Sequence, residues 1–447
     1  PAVSAEIQPA NLVLIEEQEA RPSPVSRAVT FLSRAAEERV QTRLGMWEAG
    51  IKAVEAHPFL GTGPNTYRNV FTAYEPLYYV RYLPSFREDK IHNEFIEVAQ
   101  STGLVGLAAY TWMLVAALWF FLRRTLRQRD GSDVLLVAAI LVGTAGYLAY
   151  TAMLFHTIAA YTLFWMLLGV GAGLCGYSGP QVDVKFELPR PVLGSAVLAS
   201  GAAVALVGLL AVRPVFAEIS SALAKSVIIT DVRSQAETAE WFCRAADLAP
   251  YQTEYLRTAA RSLADLGAVA GGTPGAAAAF QKSFSYINRA IRQEPYSAPL
   301  YYDRAIIQLR AGRSKDVALN DLNKAIEMYP YYIYAYNLRA DVARSQGQYD
   351  KAIVDRQKAL FITPEDTNIM VEIGYDGIGA DRYAEAIGIL ERAVAAGDKN
   401  ARTRFLLGGA YELSGNRAKA REAYLSTLAV DAKYAPARAG LSRLEVR

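Results

Sequence analysis

Four stretches of the chain carry no charged side chain over about twenty positions: 103–122, 134–155, 157–176 and 192–212. As helices, each is long enough to cross the roughly 30 Å hydrocarbon core of a bilayer. Only His156 separates the second from the third, which predicts a tight membrane hairpin. Upstream the pattern differs. Residues 1–25 hold Pro1, Pro9, Pro22 and Pro24 without a sustained period and read as loop. From about Ser26, apolar residues at Val40, Leu44, Trp47, Ile51 and Val54 follow a helical period. That helix is predicted to stop at His57-Pro58, because the residue before a proline is pushed out of the α region. The stretch PFLGTGPNTY (58–67) then reads as a turn-rich link.

Residues up to Asp89 are crowded with Phe71, Tyr74, Tyr78, Tyr79, Tyr82 and Phe86, together with Arg68, Arg81 and Arg87. Aromatics and arginines beside a span form a headgroup-level belt or line a site for a phosphorylated, sugar-bearing lipid; the pattern leaves both open. The 123–133 loop carries Arg123, Arg124, Arg127 and Arg129, so the positive-inside rule puts it in the cytoplasm. Counting crossings from there, Arg43, His92 and everything after Val212 fall outside the cytoplasm.

Beyond Val212 the chain repeats. Pro295, Pro330 and Pro364, then Asp398 and Ala432, recur at a nearly constant interval. Ala318, Ala352, Ala386 and Ala420 recur in step, as do Ala325, Ala359 and Ala393, while Gly347 and Gly415 fall where paired helices would turn. The period and the small residues resemble the tetratricopeptide repeat, whose helix pairs stack into a superhelix. Residues 251–295 fit with an insertion at AVAGGTPGAAA, 216–250 read as a degenerate first repeat, and 433–447 as a capping helix. The resemblance implies binding of partners, and Tyr301, Tyr302, Tyr331, Tyr332, Tyr334 and Tyr336 are candidates for the binding surface, with packing between helices as the plainer role.

The net charge of +3 over 447 residues gives no reason to expect nucleic acid. Cys175 lies in an apolar run and Cys243 in the polar half, which supports neither a disulfide framework nor a zinc site. With Pro1 first and no initiator Met, the chain is expected to be a fragment of a longer protein.

Two residues stand out for chemistry. Asp89 can cap a helix starting at Lys90, which would place His92 in the first turn. There the positive helix end favours neutral imidazole, the form a general base requires. Arg43 precedes Trp47 by one turn, so its guanidinium can stack on the indole while its fork points at an anion such as a diphosphate. An interfacial histidine and a solvated arginine are the plainer alternatives.

The ordered set Arg43, Trp47, Pro58, Leu60, Gly61, Gly63, His92, Asn93, Gly103 and Gly106, followed by spans, resembles the bacterial O-antigen ligase and polymerase family. The resemblance covers about 26–176, with Ser101 standing where many relatives have Glu. It implies glycan transfer from a polyprenyl diphosphate carrier to an acceptor hydroxyl, with inversion, without a metal or other cofactor. His92 and Arg43 would be catalytic, the first orienting or deprotonating the acceptor and the second neutralising the departing diphosphate. Arg81, Arg87, Trp47 and Asn93 would bind substrate, although Asn93 is read first as a second helix cap. The glycine turn lacks the lysine and spacing of a phosphate loop and is expected to allow close backbone packing.

The expected fold is all-α: polytopic transmembrane helices with an extracytoplasmic helical loop, followed by a tetratricopeptide-repeat α-solenoid. The expected divisions are 1–102 (loop), 103–176 (three spans), 177–215 (cytoplasmic loop and an extra span) and 216–447 (repeats). The location is the bacterial inner membrane, with the repeats extracytoplasmic. Expected partners are the polyprenyl diphosphate-linked glycan donor, membrane lipid, and a protein or glycan at the repeats. Taken alone, the piece is expected to be inactive. The alternative is a non-catalytic, membrane-anchored repeat scaffold for polysaccharide assembly.

Overall fold

The computed structural model describes residues 24–63, 66–82, 91–127, 132–151, 158–174, 201–202 and 212–446, and among these it contains helices and no strands. The first unit is the loop. Helix α1 (Pro24–Ala56) ends before His57-Pro58 as expected, and α2 (Tyr67–Tyr74) and α3 (Leu77–Tyr82) pack against it. The face that packs is not the predicted stripe. Val40, Leu44 and Ile51 are exposed, whereas Met46, Ala49 and Ala53 are buried. Small residues decide this. A Cβ on Gly45 would lie 2.4 Å from the Tyr79 ring, and one on Gly50 would lie 2.8 Å from Ile96. Only glycine lets α1 approach its neighbours so closely. Phe71 and Tyr79 meet edge to face at 5.1 Å inside this core. For these two rings both roles expected from the sequence, belt and site lining, give way to core packing.

Helix α4 (Glu94–Arg127) is two arms joined at Gly103, whose φ of 71° is not helical. The Phe95 and Tyr110 rings lie 6.1 Å apart, whereas a straight helix would hold these residues roughly 22 Å apart at 1.5 Å per residue. The chain therefore bends sharply at Gly103. The second arm is about 35 Å long, enough for one crossing. It packs on α5 (Ser132–Thr151), which packs on α6 (Ile158–Leu174), around Leu114, Phe121, Val137, Ile140, Phe164 and Leu168. Trp112, Val115 and Trp119 point outward. Among the described residues one helix is long and apolar enough to cross a membrane, and Leu135–Thr151 and Tyr161–Gly173 are shorter apolar helices. The expected fourth span, 192–212, lies almost wholly outside the described residues, as do His156 and Cys175.

The repeats follow the predicted period. After α7 (212–226) and α8 (Val232–Leu248) come α9 (Thr253–Ala270) and α10 (Pro274–Gln293), joined by the glycine-rich insertion. The regular pairs are α11 (Ala298–Arg310) with α12 (Lys315–Met328), α13 (Ile333–Arg344) with α14 (Tyr349–Ile362), α15 (Thr367–Gly379) with α16 (Tyr383–Ala395), and α17 (Ala401–Leu413) with α18 (Arg417–Val430). Helix α19 (Ala435–Val446) closes the end. Ala318, Ala352, Ala386 and Ala420 are almost fully buried where paired helices touch, and Gly347 and Gly415 hold left-handed turns.

Candidate functional site

The loop and the bend of α4 are locked together by backbone. The Thr62 N–H donates to Gln100 O (2.8 Å), Gly63 N–H to Ser101 O (3.0 Å) and Leu104 N–H to Pro58 O (2.7 Å). A Cβ on Gly61 would sit 2.5 Å from Gln100 O, and one on Gly103 would sit 2.1 Å from Phe59 O. Both glycines have positive φ, so no other residue fits either place well. The Gln100 side chain, 1% exposed, donates to the Thr66 hydroxyl (3.1 Å) and to that of Thr62. Thr66 in turn donates to Gly63 O (2.7 Å). The close packing expected of the glycine turn is thus present, with Gln100 as a clamp the sequence did not announce. Ser101 joins the lock through its carbonyl while its hydroxyl bonds to Glu97 O (2.7 Å). The lock is therefore indifferent to the side chain at the position where relatives carry Glu.

The lock fixes the arm that begins beside His92. That arm starts at Glu94 and not at Lys90, and Asn93 is its cap: Asn93 Oδ1 accepts from Ile96 N–H (3.1 Å). Asn93 therefore fills the capping role favoured for it, and His92 stands just outside the helix instead of in its first turn. Asp89 and Lys90 lie outside the described residues. His92 is half-buried with φ of 57°, a left-handed conformation few non-glycine residues adopt. Such backbone strain collects where a side chain must be held in one place.

Arg43 and Trp47 are half-buried on α1, and no cation–π contact joins them among the described residues. Trp47 instead packs against the Met46–Phe71–Tyr79 core. Its neighbour Glu48 is engaged elsewhere. Lys52 hydrogen-bonds it (2.7 Å) and holds its carboxyl below the usual range, helped by Tyr78. Partial burial, reinforced by Glu48, pushes the Tyr78 hydroxyl up to about 12. Arg81 points away from this site. Its Nη2 donates to Phe361 O (2.7 Å) and its guanidinium stacks over the Phe361 ring at 5.2 Å, tying α3 to the end of α14. Arg87 lies outside the described residues, as does the Arg68 side chain.

In the repeats, Tyr301 and Tyr332 are buried and Tyr334 is 55% exposed, so the proposed tyrosine platform largely packs between helices. What sequence reasoning missed is a series of ion pairs. Arg304 grips Asp321 through two bonds of 2.7 Å, and Arg339 grips Asp355 at 2.8 and 2.6 Å. The signal was present as Arg and Asp recurring in register. Glu372 meets Arg402 and Arg344.

Comparison with known proteins bears on both halves. Residues 10–111 match the family described as O-Antigen ligase. The chain joins an O-antigen ligase-like segment to tetratricopeptide repeats. The repeat family itself matches residues 322–354. Over 96 residues the chain is 36% identical to the exopolysaccharide production protein ExoQ of Rhizobium meliloti (strain 1021), a match covering 21% of this chain and 22% of that protein. The chain thus spans about a fifth of the length of that relative. Among solved structures, PilW, described as a widely conserved type IV pilus biogenesis factor, covers 50% of this chain and 98% of its own at a TM-score of 0.41 and 16% identity. YrrB, described as a tetratricopeptide-repeat protein with an unusual peptide-binding site, covers 45% of this chain and 97% of its own at 0.37 and 16%. The ligase-like segment contains every piece of the lock and both candidate catalytic residues.

Proposed function

We propose that the ligase-like segment belongs to a membrane glycosyltransferase that moves a glycan from a polyprenyl diphosphate carrier to an acceptor hydroxyl. The observation that carries this reading is His92, strained at the cap of an arm that the glycine lock holds rigid, within the matched segment. In the reaction the acceptor oxygen attacks the anomeric carbon and its proton passes to His92. The bond from that carbon to the diphosphate oxygen breaks, the configuration inverts, and Arg43 neutralises the leaving diphosphate. Trp47 and Asn93 serve as scaffold for these two. The chemistry needs no metal, so EDTA is expected to leave the rate unchanged.

We assign array and loop together to the extracytoplasmic face of the bacterial inner membrane; the Arg81–Phe361 contact supports a shared side, and the arginines of the 123–133 loop support a cytoplasmic position for that loop. One observation favours the other reading, a non-catalytic scaffold: Arg81 is committed to the array. The two separate in one experiment. In the full-length parent, His92→Ala and Arg43→Ala are expected to lower glycan transfer by at least about a hundredfold at unchanged membrane insertion. Arg43→Lys should recover little, because a point charge does not reproduce a planar fork. An active His92→Ala enzyme would refute the role given to His92, whereas a wild-type parent that transfers no glycan would refute the transferase reading and leave the scaffold.

A further inference from the structure

Between the ligase-like loop and the repeat array lies a cavity of about 710 Å³ that neither family match assigns. Its floor is the glycine turn, Gly61 and Thr62 with Thr66; one wall carries Tyr74 of α2, and the other is Tyr296 with Lys324 and Glu327 of α12. The volume falls within the roughly 300–1,000 Å³ typical of small-molecule sites. The floor is rigid, because Thr62 and Thr66 hydrogen-bond to each other (2.6 Å) and Gln100 fixes both. The two walls stay together through the Arg81–Phe361 contact.

We infer that this cleft binds the neutral saccharide chain of the acceptor, so that the repeat array forms half of the acceptor site. The inference rests on the transferase reading for the word acceptor, and on the cleft alone for the word saccharide. Two tyrosine rings on facing walls offer flat apolar surfaces for sugar faces. Glu327 supplies acceptors for the hydroxyls at a sugar's edge, and Lys324, whose Nζ lies 4.6 Å from the centroid of the Tyr301 ring, stands one helical turn away on the same wall. Lys324 and Glu327 balance each other, and among the described residues His57 is the one further group of the lining able to carry positive charge, so the cleft lacks the cluster of cations a diphosphate would require. Gln100, under the floor, lies about 10 Å along the arm from the cap beside His92, counting seven residues at 1.5 Å. A saccharide seated here would need to extend by at least about two rings to reach the proposed base.

The test uses the full chain in detergent and oligosaccharides released from the producing cell's own extracellular polysaccharide, with binding read by saturation-transfer NMR. Wild type is expected to bind. Tyr296→Ala and Glu327→Gln should each weaken binding at least tenfold with the circular-dichroism melt unchanged, while Tyr334→Ala, outside the cleft, should not. His92→Ala should abolish transfer in the parent yet bind the oligosaccharide normally, so failure of the transferase reading and failure of this one are distinguishable. Absence of wild-type binding, or binding indifferent to Tyr296 and Glu327, would overturn the inference. Displacement of the sugar by farnesyl diphosphate would overturn it too, by assigning the cleft to the donor.

Discussion

Replacing Gly103 by alanine attacks the lock at its tightest point. The new Cβ would stand 2.1 Å from Phe59 O and 2.6 Å from Leu60 N, both backbone, so no side chain can rotate out of the way. Relief requires separating the 58–63 turn from the bend of α4. That breaks three backbone hydrogen bonds, worth roughly 1 kcal/mol each. A backbone at φ 71° and ψ −175°, a region essentially confined to glycine, adds about 1–3 kcal/mol for a residue with a Cβ. The sum is about 4–6 kcal/mol, or at least roughly a thousandfold in the local opening equilibrium. Gly63→Ala is the control: its φ is 100°, but the nearest atom to its Cβ is 3.5 Å away, so only the conformational cost applies, about tenfold. Hydrogen exchange by mass spectrometry on the detergent-solubilised chain reads peptides covering Thr62–Gly63 and Leu104. Equal acceleration in the two variants would show that the lock does not exist as described.

In the array, Arg339→Ile strands the buried Asp355 and is expected to cost about 3–5 kcal/mol in thermal denaturation. Adding Asp355→Ile copies the residues one repeat later, Ile373 and Ile389, and should restore most of it; a double variant no better than the single would refute the repeat equivalence. The Glu372 carboxyl would rise on burial, but Arg402 and Arg344 outweigh that and lower it beneath its ordinary 4.5. Its contribution is therefore complete above that value and lost as the pH falls through the lower folded value. The array's melting temperature should drop in acid, and Glu372→Gln should flatten the drop; an unchanged slope would show that other carboxylates carry it. In a cysteine-free background, a membrane-impermeant thiol reagent added outside should reach Lys52→Cys and Tyr251→Cys but not Gln128→Cys; the reverse pattern would invert the topology.

The repeat architecture was legible because its signals are local and periodic: the alanines and glycines sit where the register put them. The packing face of α1 was not. A hydrophobic stripe shows which side dislikes water, while Gly45, Ala49, Gly50 and Ala53 show which side admits a neighbour, and the latter governed. The apolar helices were read from length, yet the bend at Gly103 depends on a turn some forty residues earlier in the sequence, which no window over α4 contains. His92, expected in the first turn of a helix beginning at Lys90, stands just before a helix that begins at Glu94, because Asn93 caps it through the Ile96 N–H. The Arg81–Phe361 contact and the cleft beside it join distant segments, so no local pattern forecast them.

The left-handed backbone at His92 also bears on how this chain can drift. Glycine or asparagine would fit that conformation with less strain, and a histidine codon becomes an asparagine codon by one base change. A loop serving only as an anchor would meet no resistance on that route and would gain a slightly more relaxed fold by taking it. His92→Asn is therefore the substitution that keeps the turn while removing the imidazole, and it separates what the backbone needs at this position from what the side chain supplies.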